Sequence, residues 1–191
     1  MNSLDFRRDK RTVEEFANDV EDFTEREAYW GVILRHDFIE KGKFCCLEDY
    51  GVDNSGKIIL GRLPNINVDK VFHFANGKKK FIEIKTIPEG VKKFFTFKAS
   101  SLLSCVEQNA YIIVPRSCSY YVLPPDICDY FYKNYTHEVY SNFAFGKKAV
   151  RIYMNDIEKL IKENKIIRKE WSSGSKKLIN KNYNVLFRQR G

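Results

Sequence analysis

The sequence predicts an α/β fold with a central mixed β-sheet flanked by helices, and three observations carry that expectation. A long segment near the start repeats its apolar residues at helical spacing. Two alternating, β-rich stretches then flank an Ala-Asn-Gly turn. A strand, a helix and a second apolar strand follow in that order, which is the pattern of a crossover within one sheet. The 191 residues suit one domain, and 43% hydrophobic with 15% aromatic residues supply a sizeable core. We therefore expect a single domain over 1–191, with a core over about 12–115 and a C-terminal elaboration over 116–191.

The helical segment covers residues 12–39, with Thr12 and Glu15 placed as a capping box and Gly42 as the stop. Val13, Phe16, Val20 and Phe23 keep helical spacing, as do Ala28, Val32, Ile33 and Leu34. Thr24 and Glu27 repeat the capping pattern, which leaves open two helices meeting near Asp22 to Thr24. Residues 43–47 fit a short strand, 49–56 a polar loop, and 58–60 a short apolar piece closed by Pro64. Residues 66–74 and 80–87 are the alternating pair, and Pro88, Glu89 and Gly90 break the chain after them. Residues 94–97 read as a strand, 99–108 as a helix, and 111–114 as a short buried strand. Beyond Pro115 we expect a strand at 119–123 and helices at 126–132 and 155–163. Residues 172–177 read as a polar, basic loop, and the tail as either a strand through Val185, Leu186 and Phe187 or loose chain.

Lys and Arg number 33 against 25 Asp and Glu, a formal charge of +8. That excess suits a solvated surface, and equally a polyanionic partner such as nucleic acid. No apolar run reaches membrane-spanning length and the N-terminus lacks a secretory pattern, so we expect a cytoplasmic protein with no membrane partner, a viral protein in its host cell included. Cys45, Cys46, Cys105, Cys118 and Cys128 show no Cys-x-x-Cys spacing and read as reduced, mostly buried thiols. His36 reads as a structural histidine late in a helix.

The chemistry concentrates in Asn67-Val68-Asp69 and Phe81-Ile82-Glu83-Ile84-Lys85. Strand alternation puts Glu83 and Lys85 on one face while Ile82 and Ile84 point into a core. Charges in an apolar strand are costly unless that face is wet or ligated. A two-residue Asn76-Gly77 turn would set Asp69 opposite Ile84, on the wrong face. A three-residue Ala75-Asn76-Gly77 loop, with Gly77 left-handed, sets Asp69 opposite Glu83, and this is the expected register. Asp69 and Glu83 would then bind Mg2+ or Mn2+, with the Ile84 carbonyl as a third oxygen and Lys85 beside the attacked phosphate. A solvated strand face is the alternative.

Asp69 followed by Glu83-Ile84-Lys85 resembles the PD-(D/E)XK nuclease superfamily, the restriction-endonuclease-like fold. Val68 stands where that pattern usually has Pro, a frequent replacement. The specific match covers residues 67–86 and a looser one extends over about 23–114. Holliday-junction resolvases of this superfamily carry an early helix with a Glu-Arg pair, which Thr24-Glu25-Arg26-Glu27-Ala28 resembles. The resemblance implies a metal-supporting role for Glu25, with Glu27 in reserve. It also implies a basic or amide residue facing the site, for which Lys98 fits and Gln108 fits less well.

The expected function is a Mg2+- or Mn2+-dependent endonuclease acting on DNA, duplex, branched or flap. Asp69, Glu83, Lys85 and Glu25 are the catalytic set, and Lys98, Lys78, Lys79, Lys92 and Lys93 the nucleic-acid contacts, with Lys80, Lys147 and Lys148 as further candidates. Three alternatives stay open: an RNA endonuclease, an inactive nucleic-acid-binding member of the fold, or a phage or mobile-element factor that binds protein through the aromatic segment 120–140. A homodimer would suit a junction or palindrome.

Overall fold

The computed structural model describes residues 13–43, 45–49, 68–87, 93–139 and 148–186. Its elements run α1 (Val13–Glu40), β1 (Cys45–Asp49), β2 (Lys70–Phe74), β3 (Lys79–Ile84), β4 (Phe94–Lys98), α2 (Ala99–Glu107), β5 (Tyr111–Pro115) and β6 (Ser119–Leu123). They continue with α3 (Pro125–Asn134), β7 (Glu138–Val139), β8 (Lys148–Tyr153), α4 (Met154–Lys162), β9 (Ile167–Glu170), α5 (Ser173–Lys181) and α6 (Tyr183–Leu186). Six strands form one sheet in the order β1-β2-β3-β5-β6-β9, and β4, β8 and β7 form a second, three-stranded sheet. The larger sheet is mixed: β3 and β5 pair in parallel and its other neighbours are antiparallel. The expected α/β class with a mixed sheet and flanking helices is therefore what the chain adopts.

Side-chain alternation gives the large sheet two buried faces. Phe72, Ile82, Ile84, Ile113 and Tyr120 pack with Trp30, Ile33, Leu34 and Phe38 of α1, with Trp171, and with Ile179 of α5. On the other face, Ile112, Val114 and Leu123 pack under α2, α3, α4 and the small sheet, through Leu102, Phe131, Ile157, Phe95 and Ile152. Each face is covered because a helix or a second sheet must bury its own apolar stripe somewhere.

The helix α1 is continuous through Asp22 to Thr24, so the second capping pattern at Thr24 does not break it. Its buried stripe runs through Trp30, Ile33, Leu34, Asp37 and Phe38, whereas Val32 stays 60% exposed. Gly42 ends the helix as expected. Its φ is +71°, its N–H bonds the Ile39 carbonyl at 2.9 Å, and the Lys43 N–H bonds the Phe38 carbonyl at 2.7 Å. Thr12, residues 50–67 and residues 88–92, on which other expectations fell, lie outside the described residues.

The segment after Pro115 contributes more regular structure than its sequence suggested. It supplies β6 and β9 to the central sheet, and β7 and β8 to the small one. Residues 172–177 are not a loop. Ser172 caps α5, its side chain accepting from the Ser175 N–H, and Ile179 is buried beneath it. Leu186 ends in the short helix α6 rather than in a strand. The aromatic segment is mostly core: Tyr120 and Phe131 are fully buried, while Tyr130 remains exposed. Of the described cysteines, Cys105 and Cys128 are buried and Cys46 and Cys118 exposed, all as free thiols. Among the described residues no helix is long and apolar enough to cross a membrane.

Asp37, fully buried on α1, ties the two ends of the chain together. It accepts hydrogen bonds from Lys41 Nζ at 2.7 Å, the Tyr120 hydroxyl at 3.0 Å and the Ser172 N–H at 2.7 Å. His36 on the next face bonds Ser175 Oγ at 3.1 Å, the structural role expected of it. Burial alone would raise the Asp37 pKa, but the bonds from Lys41, Ser172 and Tyr120 outweigh it and hold the carboxyl below its ordinary value. A lowered carboxylate pKa stabilises the fold above the unfolded value, and that contribution is lost as pH falls through the folded one. Asp37→Ala should cost on the order of 3 kcal/mol at pH 7 by urea unfolding. The difference from wild type should shrink as the pH is lowered below about 4.

Candidate active site

The site is built on the β2–β3 hairpin, and its geometry follows from the loop. Lys70 pairs with Ile82, Val71 with Phe81, Phe72 with Lys80 and His73 with Lys79. Continued by one position, that register sets Asp69 opposite Glu83. The connection is the three-residue loop Ala75-Asn76-Gly77, closed by Gly77 N–H to the Phe74 carbonyl at 2.9 Å and Phe74 N–H to the Lys78 carbonyl at 2.9 Å. Gly77 has φ +76°, the left-handed conformation such a loop requires. The expected register, and not the two-residue alternative, is the one formed.

Alternation then separates the side chains of β3. Ile82 and Ile84 enter the α1 core, and Glu83 emerges on the face covered by α2 and β4. Asp69 and Glu83 meet side chain to side chain in a hydrogen bond. Asp69 Oδ2 also accepts the Ile84 N–H at 2.8 Å, which pins it to the end of β3. Gln108 Oε1 accepts the Val68 N–H at 3.3 Å, so this amide steadies the chain just before Asp69. Lys85 follows directly, its N–H bound to the Ile113 carbonyl at 2.8 Å across the parallel β3–β5 pair.

Lys98, the last residue of β4, and Ser101, in the first turn of α2, complete this side. The Ser101 hydroxyl donates to Glu83, and Lys98 lies close enough to Lys85 to repel its charge. The early-helix carboxylate that reaches the cluster is Glu27 and not Glu25. Glu27 acts electrostatically on both Glu83 and Lys85, and its Oε1 is 3.5 Å from Lys70 Nζ. Glu25 is exposed on α1 and perturbs none of these groups. Helix phase decides this: Arg26 and Trp30 face inward, leaving Glu25 outside the buried stripe and Glu27 at its border.

The remaining lysines divide. Lys78 and Lys79 are exposed at the hairpin tip, roughly 15 Å of strand from Glu83, so they stand apart from the cluster. Lys80 turns to the Tyr111 hydroxyl at 2.7 Å, and Lys93 and Lys148 are exposed. Lys92 and Lys147 lie outside the described residues. Ser101 and Lys70 escaped the sequence reading. Lys70 had a signal, since a lysine directly after Asp69 in an apolar strand must find a carboxylate when buried, and it is only 4% exposed. A serine in a helix's first turn carries no comparable signal.

Electrostatics set the chemistry of the cluster. Burial pushes the Glu83 carboxyl up to about 8, and the nearby charges of Asp69 and Glu27 push in the same direction. Burial raises Asp69 too, against the Ile84 N–H and the positive charges of Lys70 and Lys85. Lys85 is pulled down to about 8 by burial and then by Lys98, against Glu83, Asp69 and Glu27. Two touching carboxyls that cannot both ionise share a proton. A divalent cation in the proton's place would satisfy both, and their oxygens are the donors Mg2+ and Mn2+ take. Among the described residues no three His, Cys, Asp or Glu side chains form a ready-made metal cage. The donor set that fits is thus the two carboxylates with backbone or water oxygens, the Ile84 carbonyl being the nearest in sequence.

No protein-family model, no curated protein and no solved structure matches the chain.

A carboxyl whose pKa is raised on folding binds its proton more tightly in the folded state. Stability should therefore fall as pH rises from about 4.5 towards 8 when no metal is present. Glu83→Gln should flatten that dependence and raise the melting temperature above wild type at pH 8 in EDTA. Mn2+ should raise the wild-type melting temperature, with saturation at 100 times Kd worth about 2.7 kcal/mol, and leave that of Asp69→Ala unchanged.

Proposed function

We propose that the protein is a Mg2+- or Mn2+-dependent endonuclease that hydrolyses phosphodiester bonds in DNA. The observation that carries this reading is the contact between Asp69 and Glu83 across the hairpin, with Lys85 half-buried beside them. A half-buried acidic pair with a lysine is expensive as a structural device and fits a reaction that needs a hard cation next to a phosphate. Resemblance of Asp69 and Glu83-Ile84-Lys85 to the PD-(D/E)XK pattern supports the same reading, as does the run of hairpin, strand, helix and parallel strand around them.

Bound between the carboxylates, the metal would polarise a phosphate oxygen and lower the pKa of a coordinated water. The chain's own groups do the rest. Asp69, fixed by the Ile84 N–H, and Glu83, fixed by Ser101, present preorganised oxygens. Lys85, held near 8, is able to take a proton from the attacking water at Nζ when neutral, and to offset phosphate charge when protonated. Lys98 adds positive charge on the side from which α2 approaches, and the formal charge of +8 attracts the polyanion as a whole. Glu27 balances Lys70 and Lys85 and acts on the site through them.

The purified protein should nick or linearise supercoiled plasmid in Mg2+ or Mn2+ and not in EDTA. Asp69→Ala and Lys85→Ala should each lower the rate at least about a hundredfold. Glu27→Ala should lower it about tenfold, while Glu25→Ala should leave it unchanged. Cleavage that survives Asp69→Ala and Lys85→Ala would remove the mechanism.

A further inference from the structure

Residues of α3 and α4 line a cavity of about 380 Å³, a volume that suits a small ligand. Ile127 and Leu160, both buried, form its floor. Tyr130 and Tyr135 form an aromatic wall, with ring centroids 6.2 Å apart and planes at 77°. Tyr130 is 44% exposed, so its ring stands at the mouth. The charged lining is Asp126 and Asp156, in the first turns of the two helices, with Lys159, Glu163 and Lys165. Lys165 Nζ lies 2.8 Å from Glu163, so those two charges cancel. Asp126 and Asp156 then outnumber Lys159, and the cavity is acidic in a chain whose formal charge is +8. The Tyr135 hydroxyl donates to Asp156 and holds that carboxylate against the aromatic wall. A carboxylate has acceptor capacity beyond one hydroxyl, so Asp156 keeps room for further donors.

We infer that this cavity is a binding site for a small organic cation, a guanidinium carried on a short alkyl chain. The site shares no residue with Asp69, Glu83 and Lys85, so it stands independently of the endonuclease reading. Each part of the lining meets one part of such a ligand. The planar guanidinium stacks on the open Tyr130 ring and presents paired N–H donors to a carboxylate. The alkyl chain covers the Ile127 and Leu160 floor. Other classes of ligand fit less of it. An anion would meet more negative charge than positive. A neutral ligand would stack and leave the acids unmatched. A hard metal ion would take the carboxylates and leave the rings and the apolar floor without a contact. A compact ammonium is more strongly hydrated than a guanidinium and offers no plane to the ring.

Isothermal calorimetry on the full chain in EDTA, with butylguanidinium and its neutral counterpart N-butylurea as probes, tests this. Wild type should bind butylguanidinium at one saturable site, at least tenfold more tightly than N-butylurea. Tyr130→Ala should weaken that binding about fivefold, while Tyr130→Phe, which keeps the ring, should stay within twofold of wild type. Asp156→Asn should weaken it about tenfold. Asp126→Asn, at an exposed position that leaves the Tyr135 bond in place, should weaken it at least threefold and keeps the test decisive if Asp156→Asn fails to fold. Tyr183→Ala, at another exposed tyrosine, should have no effect. An acetylated Gly-Arg-Gly amide separates a free ligand from the arginine of a partner protein, and should bind more weakly than butylguanidinium. No saturable binding, N-butylurea binding as tightly, the peptide binding more tightly, or Tyr130→Ala and Asp126→Asn both matching wild type would each overturn the assignment.

Discussion

The rest of the site depends on the register of one hairpin. Side chains on a strand alternate with period two, so a slip of a single residue would carry every side chain of β3 to the opposite face. Ile82 and Ile84 would then meet α2, and Glu83 would be driven into the packing around Trp30 and Leu34. Two independent constraints prevent it. The left-handed Gly77 sets a three-residue loop, and the burial of Phe72, Ile82 and Ile84 against α1 sets which face is apolar. Both choose the alignment in which Asp69 stands across from Glu83. A turn at the hairpin tip thus determines the chemistry at its base.

Holding that pair together is costly, and the surrounding fold offsets the cost. Glu83 and Lys85 are both displaced from their ordinary titration range, chiefly by burial. Such displacement is tolerated because the large sheet is covered on both faces and because named partners limit the damage. The Ile84 N–H and Ser101 hydroxyl receive the carboxylates, and Glu27 and Lys70 form a second layer of charge behind them. Elsewhere a buried acid is held differently: Asp37 accepts from three donors and welds α1 to the start of α5. The contrast is instructive. At Asp37 hydrogen bonds outweigh burial and the acid is stabilised as a carboxylate, whereas at Glu83 burial outweighs the bonds and the acid holds its proton more tightly.

The elements that were legible in the sequence are those whose signal is local. The Ala75-Asn76-Gly77 loop, the alternation in Phe81-Ile82-Glu83-Ile84-Lys85 and the Gly42 stop depend on a few adjacent residues, and each formed as expected. Less legible were features decided by distant partners. α1 runs through Thr24, and its inward face selects Glu27 over Glu25, which only the packing of Trp30 against Trp171 at 5.7 Å fixes. β9 is an edge strand with mostly exposed residues and so lacks alternation. α5 buries little beyond Ser175 and Ile179, too sparse a stripe to distinguish from a polar loop. β8 did carry a period-two pattern, Val150 and Ile152 inward and Arg151 and Tyr153 outward, but its partner β4 lies more than fifty residues earlier in the chain.

Crystals soaked in excess Mn2+ and measured for its anomalous scattering test the central claim most directly. The account predicts a peak between Asp69 and Glu83, with a carboxylate oxygen of each about 2.1 Å from it. A peak held by other residues, or none with Asp69 and Glu83 still sharing a hydrogen bond at saturating Mn2+, would contradict it.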